Sequence, residues 1–142
     1  MRLTIIQLGH RKIGFINGPS FLPGPRVMLK GYRDKLAQHE IPFNPEYVRV
    51  SYFNESKVRE DALGLVNKEV TAIVTIDDLR AAVCMQAATS KGLRVPEDLS
   101  VIGFRDAPFS RYLHPSLTTL RFPFDRIAWE AISMVHSAEG EG

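Results

Sequence analysis

The chain has 142 residues, 44% of them apolar, with 18 basic and 16 acidic side chains for a formal net charge of +2. That length and apolar content allow one core of ordinary size and exclude an intrinsically disordered chain, while dispersed, nearly balanced charges argue against a phosphate-tracking surface. A single cysteine, Cys84, excludes an internal disulfide framework and fits a reducing compartment; with no membrane-length apolar segment and no secretory signal pattern, the cytoplasm is the expected location.

Residues 1–8 mix Leu3, Ile5 and Ile6 with polar neighbours and lead to Gly9, which predicts the last turns of an amphipathic helix. Ile13-Gly14-Phe15-Ile16 reads as the first buried strand, stopped by Asn17-Gly18-Pro19. A loop rich in Pro and Gly then leads to a helix over 25–39, with Pro25 at its opening position. Gly31 inside that helix costs about 1 kcal/mol relative to alanine, so close packing on the sheet is the expected compensation. Residues 46–53 form a second strand, in which Val48 and Val50 alternate with Arg49 and Ser51 as they would near a sheet edge. Asn54, Glu55 and Ser56 supply start chemistry for a helix over 56–68, where Val58, Ala62, Leu65 and Val66 recur at helical spacing.

The β-branched, apolar runs 72–76 and 99–104 read as the third and fourth strands, each with acidic residues close after its end. A helix over 79–91 joins them with the length a parallel crossover needs, and Cys84 within it, among Ala81, Ala82, Val83 and Met85, is expected to be buried and inert. After a loop over 107–116, Leu117–Phe122 is a fifth, short extended run. Pro123 then opens a helix whose Phe124, Ile127, Ala128, Ala131, Ile132 and Val135 form a wide apolar stripe, followed by a polar end.

Strand and helix alternate throughout, which predicts an α/β fold with a mostly parallel open sheet and helices on both faces. Ligands of such sheets sit outside the carboxyl ends of the strands, which selects Asn17, Gly18, Tyr52, Phe53, Asp77 and Arg105. Asp78, immediately before Leu79, is expected to cap the third helix rather than to touch a ligand, and Asp106 to hold its loop. His10 falls in a surface-exposed turn, and His39, His114 and His136 lack partners at metal-ligand spacing, so no metal and no cofactor are expected. No nucleophile elbow, phosphate-cradling glycine loop or two-histidine zinc motif is present, and a phospho-accepting receiver would need an acidic pair where Asn17-Gly18-Pro19 stands. The chain is therefore not expected to be an enzyme.

Four stretches carry a family likeness: LGHRKIGFINGP from Leu8, RVMLKGYRDKL from Arg26, TIDDLRAAVCMQAATSKGLRVPEDLSVIGFRD from Thr75 and HPSLTTLRFP from His114. In order and spacing they resemble the sugar-sensing core of the lactose/galactose repressor family of bacterial transcription regulators, a periplasmic-binding-protein-like fold. The resemblance implies that residues 1–122 are the second lobe of a two-lobed sensor, and that 123–142 are a first-lobe helix with a polar tail. It also implies that the helix-turn-helix, the hinge helix and the rest of the first lobe lie outside this chain, so operator DNA would be contacted only through that missing part.

What the resemblance implies for function is binding of a small-molecule effector, coupled to a change in the angle between lobes, in a homodimer joined near helix 79–91 and loop 107–114. The family's effector positions fall here on Asn17, Met28, Phe53, Asp77 and Arg105. For Phe53 two readings stand, a ring against a sugar face or an aromatic of the core or lobe interface. Two departures matter. Met28 stands where an arginine is common, and the Gly-aromatic-Asp-Asp signature is Gly103-Phe104-Arg105-Asp106. Either Arg105 faces the cleft, which suits a sugar acid or sugar phosphate, or it pairs with Asp77 across neighbouring strand ends. The alternative to a regulator is a fragment of a transport-type periplasmic sugar-binding protein, which shares the fold.

Overall fold

The structure, a computed structural model, describes residues 5–52, 54–120 and 131–134. Among the described residues up to 120 the regular elements are, in order, β1 (Ile13–Asn17), α1 (Pro23–Gln38), β2 (Val48–Val50), α2 (Glu55–Asn67), β3 (Ala72–Thr75), α3 (Asp78–Ser90), β4 (Ser100–Phe104) and β5 (Thr118–Leu120). The five strands form one wholly parallel sheet in the order β2-β1-β3-β4-β5. This is the α/β open sheet that the alternation of patterns predicts.

Strand order and crossover handedness together decide which face each helix covers. The chain leaves β1 toward β2 in one direction and then returns past β1 to β3 and β4, so right-handed connections put α1 on one face and α2 and α3 on the other. Side-chain alternation along β1 matches this. Ile13 joins Ile6, Leu36 and Ala72 under α1, whereas Ile16 joins Val58, Leu65, Ile73 and Cys84 under α2 and α3. Both faces of the central strands are dry, which is why β1 and β3 read as apolar runs rather than as alternating ones.

Several boundaries differ from expectation. α1 opens at Pro23, two residues before Pro25, because Leu22 is extended and proline fits the first helical position. The second strand shrinks to Val48–Val50, since the Asn44 side chain accepts from Glu46 N and starts a 3-10 turn over Pro45–Tyr47. Gly31 is not tightly packed. A Cβ built there would meet no atom within 4 Å, and α1 buries only Pro25 and Leu36 among its 16 residues. A different glycine carries a close approach: a Cβ on Gly103 would lie 2.2 Å from Asp78 Oδ1. Of the helix expected after Pro123, only 131–134 are described, and they are helical; Phe53 lies outside the described residues. No described helix is long and apolar enough to cross a membrane.

Candidate functional site

The sheet reverses its direction of growth between β1 and β3, so the loops after these two strands part to opposite faces and leave a crevice at their carboxyl ends. Asn17 closes β1 and Asp77 follows β3, so the two flank that crevice. Arg105 follows β4, the next strand over. Three of the residues selected from sequence are thus brought to adjacent strand ends.

Asn17 is buried, and its Nδ2 donates to Pro25 O at 2.9 Å, which ties the start of α1 to the end of β1. Its Oδ1 has no hydrogen-bond partner among the described residues. A buried acceptor without a donor is costly, and such atoms concentrate where a ligand or water completes the set. Neighbouring backbone holds the strand end in register, with Ser51 N donating to Asn17 O at 2.9 Å and Ile76 N to Ile16 O at 3.1 Å.

The cap of α3 is Asp77, not Asp78. Asp77 keeps an extended backbone, and its Oδ1 accepts from Arg80 N at 2.8 Å, which satisfies one of the free amides of the first turn. Asp78 is already helical and turns inward, 2% exposed, where its two oxygens accept from Ala107 N and Thr119 Oγ1 at 2.5 Å each. It therefore braces the loop after β4 instead of closing the helix.

That loop is strained. Arg105 and Asp106 are consecutive residues with φ of +102° and +53°, a region that residues with a Cβ occupy at a cost. Arg105 N donates to Leu120 O at 2.7 Å, Asp106 N to Thr119 Oγ1 at 3.1 Å, and Ser110 Oγ to Asp106 Oδ1 at 3.4 Å, so β5 and the 3-10 turn over Pro108–Tyr112 hold the conformation. The result is an exposed Arg105 side chain, with no hydrogen bond or ion pair to any described residue. Pairing between Arg105 and Asp77 is not found. The partner of Asp77 is Arg80, an ion pair that sequence reading missed, although an arginine three residues after a capping aspartate in an otherwise apolar helix is a visible signal.

Arg80 is 6% exposed, and its Nη2 donates to Ser51 O at 2.9 Å and Tyr52 O at 3.2 Å, which ties the end of β2 to the head of α3. Met28, by contrast, lies apart from the polar group. It is half-buried on α1 and lines an apolar groove of about 450 Å³ with Ile5, Ile13, Phe15, Tyr32 and Val74. Cys84 sits in the core, and burial pushes its thiol up to about 12. Among the described residues no group of three or more His, Cys, Asp or Glu side chains could hold a metal ion.

Set against known proteins, the chain matches, over residues 4–141, the model of the periplasmic binding protein-like domain. The chain belongs to this family. As a periplasmic binding protein-like domain it is similar to transcription regulators. It is 40% identical over 126 residues to a probable HTH-type transcriptional repressor, ExuR, of Bacillus subtilis, covering 87% of this chain and 38% of that protein. Among solved structures, the Escherichia coli transcriptional repressor ascG superposes with a TM-score of 0.90 at 30% identity, over 97% of this chain and 51% of the other. A sugar-binding transcriptional regulator of the LacI family from Escherichia coli, complexed with phosphate, gives a TM-score of 0.85 at 32% identity, over 90% of this chain and 47% of the other. The chain thus spans about half or less of the length of these relatives.

Proposed function

We propose that this chain is the effector-sensing part of a transcription regulator of the lactose/galactose repressor type, acting in the cytoplasm and without catalysis. The observation that carries this reading is the placement of Asn17 and Asp77 on either side of the point where the sheet reverses, with Arg105 on the next strand. The ligand class is a sugar or sugar-like molecule, and the exposed Arg105 favours an acidic or phosphorylated one, because a guanidinium offers a planar fork to a carboxylate or phosphate. A related regulator whose structure holds phosphate supports that direction. Met28, in the apolar groove, and Phe53 complete the proposed contact set by family position only.

Assembly as a homodimer is part of the same reading. Leu79, Phe109 and Tyr112 are exposed on α3 and on the 3-10 turn after β4, where the family resemblance puts the partner. Operator recognition is not assigned to residues 5–120, whose three helices lie on the sheet; DNA is expected to bind this chain weakly, with strong salt dependence and no sequence preference.

The test is a titration of isotopically labelled 1–142, followed by NMR, with a neutral hexose, a sugar acid and a sugar phosphate at millimolar concentration, since one lobe supplies only part of the contacts. Amide shifts concentrated at Gly18, Asp77 and Arg105, larger for the anionic sugars and lost in Arg105→Asp, are expected. Shifts at none of these positions would overturn the reading.

A further inference from the structure

Both carboxylate oxygens of Asp77 are already engaged by one residue: Oδ1 accepts from the Arg80 backbone N–H, and Oδ2 pairs with the Arg80 guanidinium. The other arm of that guanidinium holds Ser51 O and Tyr52 O, the first two carbonyls after β2. A charged side chain that is only 7% exposed carries a desolvation cost, and three acceptors from two separate elements offset it here. A planar fork suits them together because its donors are spread over separate nitrogens, whereas a lysine ammonium carries all of its donors on one atom.

We propose that Arg80 is the positioning and charge-setting residue of this site: it fixes and neutralises the Asp77 carboxylate and clamps the Ser51–Tyr52 backbone that follows β2. The inference rests on the sensor-site reading above for its ligand, but not for its geometry. With Arg80 in place the crevice shows an approaching ligand a neutral ion pair rather than a bare carboxylate, and Arg105 is then the residue that decides which charge is welcome. Tyr52, 57% exposed, is held beside Arg80 by its carbonyl. Remove the fork, and Asp77 is left charged while the buried Ser51 carbonyl loses its donor.

The experiment compares 1–142 with its Arg80→Met and Arg80→Lys variants by amide hydrogen exchange and by NMR titration with glucose and glucose 6-phosphate. In Arg80→Met the Ser51 amide is expected to exchange faster while the Cys84 and Ala87 amides, deep in α3, stay protected. The preference for glucose 6-phosphate over glucose should fall about tenfold, the effect of one uncovered charge at short range. Arg80→Lys should restore that preference, because the charge returns, yet leave Ser51 exchange fast, because the fork does not.

Equal weakening of both sugars in Arg80→Met, without rescue by lysine, would reduce Arg80 to a packing role and overturn the proposal. So would unchanged Ser51 exchange. If Arg80→Met does not fold, Arg80→Gln, which retains one donor arm without the charge, is read in the same way. A wild-type chain that binds neither sugar would count against the sensor-site reading and against charge-setting by Arg80, while Ser51 exchange would still decide the clamp.

Discussion

Thr119 Oγ1 donates to Asp78 Oδ1 at 2.5 Å, joining residues 41 positions apart and fastening the head of α3 to the edge strand β5. The same hydroxyl oxygen accepts from Asp106 N, so one threonine serves both the buried carboxylate and the strained loop that displays Arg105. Thr119→Val keeps the shape but removes both bonds, and should cost about 1–3 kcal/mol in urea unfolding, the usual penalty for leaving buried polar groups unpaired. Thr119→Ser should recover most of it. Gly103→Ala drives a methyl into the same carboxylate and should cost a comparable amount by overpacking, about 1–3 kcal/mol.

Gly31→Ala should stabilise the chain. The position is exposed and helical, and the added methyl meets nothing, so the gain is the difference in helix propensity, about 1 kcal/mol. Thermal and urea unfolding of the two chains would measure it, and a loss of stability would mean that the space beside Gly31 is filled in solution.

Asp98 should titrate far below an ordinary aspartate. Its carboxylate accepts from the Arg94 side chain and backbone, which lowers its pKa to about 2 from 3.8. A depressed folded-state value means that the contribution to stability is present above pH 3.8 and is lost as the pH falls toward 2. The pair is solvent-exposed, so the effect on overall stability is small. Side-chain carbon NMR should find the midpoint near 2, and Arg94→Gln should move it upward.

Cys84 should resist alkylation in the native chain. With the thiol pushed to about 12 by burial, foremost, and by Asp61 and Asp77, almost no thiolate exists at pH 8, and the sulfur is out of reach of reagent. Iodoacetamide labelling followed by mass spectrometry should be slow in buffer and fast in denaturing urea; fast labelling in buffer would show that α3 opens readily.

Much of the fold is legible in the residues because its causes are local. Ile13–Ile16 and Ala72–Thr75 announce buried parallel strands by being apolar on both faces, and Asn54 announces α2 by offering an acceptor to Lys57 N. The parallel sheet follows from helix-length spacers between strands, and that brings Asn17, Asp77 and Arg105 to its carboxyl edge.

Other features depend on contacts that no local pattern encodes. Asp77 and Asp78 are chemically identical, and a shift of one residue at the helix entrance makes one the cap and turns the other into the core toward Thr119. The partner of Asp77 is settled by the reach of Arg80 to carbonyls 28 and 29 positions earlier in the chain, which also leaves Arg105 unpaired with Asp77. The room beside Gly31 depends on how far α1 stands from the sheet, which the residues of α1 alone do not determine. Composition and periodicity thus determine the elements and which side chains reach the carboxyl edge of the sheet, because those follow from burial and backbone geometry; the pairing of charges at that edge is decided only when separate elements meet in three dimensions.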